Sequence, residues 1–447
     1  LESDFSAAGN SGRRYVVNEV NTRLAEREAA GHPVAVSLIG AGQMGVEIVA
    51  QIGQMKGMDV CCICDLSVDL AKKGFADTRK KRKIVVTDDP EEATRAWAEG
   101  KCVATTDYRV ATRMEQVEAV IDATGSTEMG AIVSLDCVDY GKHIVMMSVE
   151  CDVTIGPVLR QMAENAGVVY SLAAGDEPAA ICELYRFADA LGFEVVAAGK
   201  GKNNPLNIYA NPDTEREKAE QREMSPRMLA EFVDGSKTAI EMTAVSNATG
   251  LLPDIPGMHG AKSTVDTLNK VFVPKADGGV LENRIGVVDF AIGVHPGVFL
   301  VVTTDSPRLR AGLAQRDMGP GPYYTLYRPF HLTSIEVPMT VCQAVFYGES
   351  SGHPLRRLYT ECTTVSKREI KRGETLDGIG EWSYRGSVEE AMSAAEKRYL
   401  PLGIAKGCVA TEDIPKDTII TYDMVDASRD SVLMDLRRLQ DKLYRED

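Results

Sequence analysis

Three glycines within six residues, Gly40-Ala-Gly-Gln-Met-Gly45, are the first feature of this 447-residue chain that could do chemistry. They follow the apolar run 34–39 at once, and Met44, Ile48, Ile52 and Met55 then recur at helical spacing. In a strand–turn–helix of this kind Gly40 permits the tight turn and Gly42 lets the backbone approach a pyrophosphate. Gly45 lets helix and strand pack closely, and Gln43 and Met44 bring the first helical N–H groups to the phosphates. Asp65 closes the second apolar run, 23 residues after Gly42, where a carboxylate would accept the ribose hydroxyls of a dinucleotide. That acid opposes a 2′-phosphate, whereas the basic run 79–83, beginning at Arg79, could hold one or could be a solvated loop face. Thr124 and Gly125 are small residues where a chain must pass the nicotinamide ribose, with Asp122 orienting that turn.

Further along, Gly199-Lys-Gly-Lys-Asn-Asn204 places Lys200, Lys202 and Asn203 in a glycine-loosened loop. It is either an oxyanion or phosphate cradle or an exposed polar turn, and one of the two lysines is expected to face the cleft. His259 and Lys262 are three apart on the helix that Gly257 and Gly260 would introduce. The histidine could shuttle a proton and the lysine could hold a phosphate or protonate an alkoxide. Asp152, Asp176 and Glu177 fall at strand-end loops; the last two precede Pro178, so helix capping competes with a ligand role.

The elements that must position these groups form an α/β chain. Apolar runs at 34–39, 59–64, 117–121 and 143–147, alternating with helical stretches, predict a doubly wound Rossmann domain over residues 1–175. Shorter β-like runs at 194–198, 286–292 and 298–303 among helices predict an α+β substrate and dimerisation domain over 176–349. After the linker-like Ser350-Ser-Gly-His-Pro354, a small mostly-β domain over 350–447 carries two similar segments, 370–376 and 414–420.

Fifty basic against 65 acidic residues, a formal charge of −15, argue against nucleic acid as a partner. No apolar run is long enough to span a bilayer and the opening 1–14 lacks a signal-like apolar core, so a cytoplasmic, membrane-free location is expected. The ten cysteines contain no Cys-x-x-Cys pair and read as buried thiols.

Together, Gly40-Ala-Gly-Gln-Met-Gly45, Asp122-Ala-Thr-Gly125 and Gly141-Lys-His-Ile-Val145 resemble the homoserine-dehydrogenase-like NAD(P) oxidoreductases. Ser148-Val-Glu-Cys-Asp152, Val168-Val-Tyr-Ser171, Gly175-Asp-Glu-Pro178 and Phe193-Glu-Val-Val-Ala-Ala-Gly-Lys-Gly201 are similar to a branch of that group with a C-terminal SAF domain. The paired segments near Ile370 and Ile414, with Leu400-Pro-Leu-Gly-Ile404 between them, resemble the SAF module.

That branch includes enzymes turning 1-deoxy-D-xylulose 5-phosphate into 2-C-methyl-D-erythritol 4-phosphate in isoprenoid precursor synthesis, and oxidoisomerases of branched sugar acids. The resemblance implies NADPH as cofactor, with NADH possible, Mg2+ or Mn2+ held by Asp152 and Glu177, a sugar-phosphate substrate, and a homodimer or higher homo-oligomer. The alternative is an oxidoisomerase or dehydrogenase of a branched sugar acid or polyol. Homoserine dehydrogenases carry a lysine near the position of Glu150, and an Asp and a Lys one helical turn apart in a segment resembling 254–262. Here His259 stands at the Asp position and Lys262 one residue short of the Lys, which argues against plain homoserine oxidation.

Overall fold

The six residues of β1 (Val34–Ile39) are all buried, as are the seven of β2 (Met58–Cys64). Strands with no polar face are stable only in a sheet covered on both sides. In the computed structural model, which describes residues 19–444, they lie in a seven-stranded sheet. Its other strands are β3 (Ile84–Val86), β4 (Cys102–Thr105), β5 (Ala119–Asp122), β6 (His143–Met146) and β7 (Tyr170–Leu172). The order is β3-β4-β2-β1-β5-β6-β7, parallel throughout. The chain winds outward from β1 and then crosses to β5, so the carboxyl ends of β1 and β5 flank the crevice where doubly wound sheets bind ligands. The opening segment 1–14 lies outside the described residues.

A second sheet has the order β11-β10-β8-β9, from β8 (Glu194–Lys202), β9 (Val287–Ile292), β10 (Val298–Thr303) and β11 (Tyr323–Arg328). Its β8–β9 pair is parallel and the others antiparallel. One face packs on the helices Glu177–Ala190 and Ser236–Thr249 through Ala198, Phe290, Leu300, Ile181 and Ile240. Phe272 and Leu281 cover the other face.

Here the structure corrects the sequence reading: Lys200-Gly-Lys202 is the end of β8 and not a loop. The glycines that suggested looseness serve close approach. A Cβ on Gly199 would lie 2.3 Å from the Asp289 carbonyl oxygen, and one on Gly201 1.5 Å from that of Val294. Because side chains two apart on a strand share a face, Lys200 and Lys202 point the same way, and both are buried.

The C-terminal part holds the antiparallel pair β12 (Thr360–Ser366) and β13 (Tyr384–Glu390), and the short pair β14 (Val409–Ala410) and β15 (Val425–Asp426). The two similar segments meet: Ile370 and Ile414 exchange backbone hydrogen bonds of 2.9 and 2.8 Å. Both later parts of the chain also return to the first sheet. Helix Val337–Tyr347 buries Val337 and Val341 against Leu38 and Val145. From helix Val432–Tyr444, Gln440 accepts the Val158 N–H at 3.2 Å, and Arg437 donates to Glu361 and the Thr154 carbonyl. All ten cysteines are buried and unpaired, as expected, and burial pushes the thiols of Cys61 and Cys102 up to about 12. Among the described residues no helix is long and apolar enough to cross a membrane.

Candidate active site

The glycine turn has the geometry its spacing predicts. Gly40 has φ +98° and donates to the Cys64 carbonyl at 2.9 Å, and a Cβ on it would lie 2.5 Å from the Ala123 oxygen. A Cβ on Gly45 would lie 2.0 Å from the Gly40 oxygen, so helix Gln43–Ile52 touches the turn directly. Gly42 differs. It is the N-cap of that helix, with no side-chain cap, and a Cβ there would meet nothing within 4 Å. The N–H groups of the first turn therefore face open space with no side chain claiming them, which suits an anionic phosphate.

Asp65 is anchored at the same edge, accepting the Ala41 N–H at 2.8 Å and the Ser67 N–H at 3.1 Å. Thr124 donates through its hydroxyl to Asp122 at 2.7 Å, and the Gly125 N–H reaches the Ser148 hydroxyl at 3.0 Å. These residues fit a nicotinamide dinucleotide. Gly42, Gln43 and Met44 could hold its pyrophosphate, Asp65 its adenosine ribose, and Thr124 and Gly125 its nicotinamide ribose.

The basic run is not part of this edge. Lys80 and Arg82 lie 3.2 and 2.7 Å from Asp59, at the start of β2, whereas Asp65 follows its end. Six residue steps along the strand separate the two acids by roughly 20 Å. The helix Val68–Gly74 carries the chain back to the opposite edge of the sheet, so Arg79, next to Lys80, is not brought to the adenosine ribose.

A second group of side chains starts two strands away. Glu150 opens the helix Val149–Asn165 after β6, and Glu177 opens Glu177–Ala190 after β7, with Asp176 as N-cap. Asp176 makes no capping hydrogen bond. Lys200 donates to Glu177 at 2.6 Å and also to Glu241. Glu241 stands one helical turn after Lys237, whose ammonium is 3.4 Å from Glu150. Lys202 donates to the Phe232 carbonyl, and Glu231 is buried beside that residue.

Five carboxylates, of Glu150, Asp176, Glu177, Glu231 and Glu241, thus surround three lysines, 200, 202 and 237. Their titrations divide accordingly. Burial opposes the charge on Lys200 and Glu177, but Glu177 and Glu241 hold the Lys200 ammonium above its ordinary value, while Lys200 and His331 hold Glu177 below its own. Burial, reinforced by Lys200, lowers Lys202 to about 8. Burial, reinforced by neighbouring acids, raises Glu231 to about 8 and Glu241 to about 7.

The segment after β11 closes over both groups. The Thr333 N–H donates to the Gly175 carbonyl at 2.9 Å, the Ser334 hydroxyl reaches the Met44 sulfur at 3.0 Å, and His331 sits 3.6 Å from Glu177. Glycine turn and charged cluster therefore share one edge.

Other expected residues are not bonded to this cluster. Gly257, Met258 and Gly260 have φ of +75°, +70° and +61°, left-handed values that no right-handed helix contains, so His259 and Lys262 lie on an irregular turn. His259 is 2.8 Å from Asp254, which also accepts three backbone N–H groups from residues 282–284. The histidine secures a loop. Lys262 is exposed and bridged by its backbone to Ile292, and Asn203 is exposed just past β8.

Asp152 is separated from Glu177: it is 1% exposed and accepts the Tyr170 hydroxyl at 2.9 Å, and burial raises it to about 7. Residues 150 and 152 point to different sides of their helix, so only Glu150 joins the cluster. Oxygens of Asp176, Glu177 and Glu241 do lie within 4.8 Å of one another. Two of these acids are already bonded to the Lys200 ammonium, however, and a divalent cation would have to displace it. The donor set does not fit Mg2+ or Mn2+, which demand octahedral oxygen ligation.

Lys237, Glu241 and Glu231 carried no sequence motif. The available signal was a lysine and a glutamate one turn apart in a helix otherwise made of small and apolar residues.

Residues 175–337 match the family described as oxidoreductase DRL, catalytic domain, a span that contains Glu177, Lys200, Lys202, Lys237 and Glu241. No curated protein matches the chain. Solved structures similar to it include one described as a probable dehydrogenase from Thermotoga maritima, 13% identical, with 71% of this chain and 90% of that one covered and a TM-score of 0.40. An NAD binding oxidoreductase from Klebsiella pneumoniae is 14% identical over 68% and 67%, TM-score 0.32. The UDP-N-acetylglucosamine 3-dehydrogenase of Acidithiobacillus ferrooxidans is 11% identical over 60% and 73%, TM-score 0.34. At these values the structural likenesses carry no functional argument. The catalytic-domain match lies over the charged cluster and marks the chain as an oxidoreductase enzyme, and a dinucleotide-type glycine turn stands at the same sheet edge.

Proposed function

We propose that the chain is a dehydrogenase of a small polyhydroxylated substrate, a polyol or branched sugar acid, with Lys202 as the proton-transfer group. The carrying observation is the pair of lysines on one face of β8: Lys200 is locked between two carboxylates, while among the described residues Lys202 donates to a carbonyl alone and burial lowers it to about 8. The nicotinamide, bound at the glycine turn, supplies or accepts hydride. In the oxidative direction a neutral Lys202 amine takes the hydroxyl proton as the carbon–hydrogen bond gives up its hydride; in the reductive direction the ammonium returns it. The surplus carboxylates suit the remaining hydroxyls, which donate to them.

The competing reading, reduction and rearrangement of 1-deoxy-D-xylulose 5-phosphate, needs a phosphate anchor and a divalent metal. Lys200 is already bonded to two carboxylates, which a phosphate dianion would have to displace to be anchored there. Asp65 likewise favours the unphosphorylated adenosine ribose of NAD(H). Turnover of NAD+ and NADP+ over a panel of polyols and sugar acids tests the assignment. Lys202→Met should lower turnover at least about a hundredfold with dinucleotide binding unchanged, and near-normal turnover would refute it.

A further inference from the structure

Lys367, the residue after β12, is the deepest charge that the C-terminal part sends toward the active site: its side chain is 2% exposed. Its ammonium donates to Asp234 at 3.0 Å, to the Ala210 carbonyl at 2.7 Å and to the Glu381 carbonyl. Three donors thus have three acceptors, and no hydrogen-bonding capacity is left for a ligand. The importance of the contact lies in what Asp234 holds. Its other oxygen accepts the Ser236 N–H at 2.8 Å across Gly235, which has φ +89° and joins the helices Pro226–Asp234 and Ser236–Thr249. The same turn is gripped again from β13, where the Gly386 N–H donates to the Ser236 hydroxyl at 2.9 Å.

Active-site groups are spaced along this turn. The Phe232 carbonyl that holds Lys202 is two residues before Asp234; Lys237 is three after it and Glu241 one helical turn beyond that. We infer that Lys367 is a positioning residue for the active site, tying the turn 232–236 to the C-terminal hairpin and so fixing Lys202 against the Phe232 carbonyl. The hairpin is therefore part of the catalytic apparatus. This inference rests on the assignment of Lys202 as the proton-transfer group.

Lys202 faces Lys200 on its own strand, Glu241 on the helix Ser236–Thr249 and Asp234 in the turn, while Asp234 in turn faces Lys367 and Arg385 from the hairpin. Removing Lys367 raises the buried Asp234 carboxyl further, so the effect on Lys202 comes from the loosened turn, which lets water reach its ammonium and favours the charged form.

The test uses full-length protein labelled with 13C at the lysine ε-carbons. The Lys202 resonance is identified as the one absent from Lys202→Met, and its titration is followed by NMR. The wild-type midpoint should lie near 8. Lys367→Met, and the milder Lys367→Gln, which keeps a donor to Asp234, should raise it by at least about one unit while circular dichroism and dinucleotide binding stay unchanged. An unchanged or lowered midpoint in either folded variant would overturn the inference. The underlying reading fails separately, by undiminished turnover of Lys202→Met.

Discussion

Replacing Lys202 with methionine should make the protein more stable and less active at once. The side chain is about as long, the position is 5% exposed, and the charge removed is one that burial lowers from 10.5 to about 8. That depression corresponds to about 3 kcal/mol held against the folded state at neutral pH. Losing the hydrogen bond to the Phe232 carbonyl takes back about 1 kcal/mol, leaving a net gain of about 2 kcal/mol at pH 7.

The sign depends on pH in a defined way. Below pH 8 both folded and unfolded wild-type chains carry the ammonium, and the folded state bears its full penalty. Between pH 8 and 10.5 the folded chain loses its proton first, so wild-type stability rises relative to the variant. Chemical denaturation of both proteins at pH 7 and pH 10 measures the difference. The variant should unfold at higher denaturant at pH 7 and lose that advantage by pH 10. A variant less stable than wild type at pH 7, or an advantage independent of pH, would show that Lys202 is not the strained cation described.

Its neighbour should respond oppositely. Lys200→Met strands Glu177 and Glu241 in the interior and should cost about 3–5 kcal/mol in the same denaturation experiment, a neutral effect contradicting the ion-pair description. The glycines also separate: Gly42→Val should fold normally but lose dinucleotide binding by calorimetry, while Gly45→Val, with backbone 2.0 Å from its new Cβ, should fail to fold by circular dichroism. Asp65→Ser should shift the NADP(H)-to-NAD(H) affinity ratio upward about tenfold. The Arg79→Ala, Arg82→Ala double variant, altered at the far edge of the sheet, should leave that ratio unchanged.

The parts of this architecture that were legible in the sequence are those set by local physics. Continuous apolar runs such as 34–39 announce strands buried on both faces, and the Gly40, Gly42, Gly45 spacing announces the turn because each glycine answers a contact within a few residues. Glu177, Lys200 and Lys202 were also recoverable, being adjacent to such strand ends. What failed depended on distant partners. His259 looked available, but its ring is bonded to Asp254, which the 282–284 backbone holds in turn. Arg79 looked close to Asp65 along the chain, yet a helix carries it to the opposite edge. Lys237 and Glu241 were not singled out, because nothing local reveals that the second sheet and the C-terminal hairpin pack against their helix.

The most direct test of the central claim is steady-state nicotinamide reduction by the full-length enzyme on polyols and sugar acids, each offered with and without a phosphate ester, in the presence of excess EDTA. Turnover should occur with an unphosphorylated substrate, exceed that of its phosphate ester, and be unaffected by the chelator. Activity confined to a phosphate ester, or abolished by EDTA and restored by Mg2+ or Mn2+, would contradict the account of a site in which Lys200 holds the carboxylates and Lys202 moves the proton.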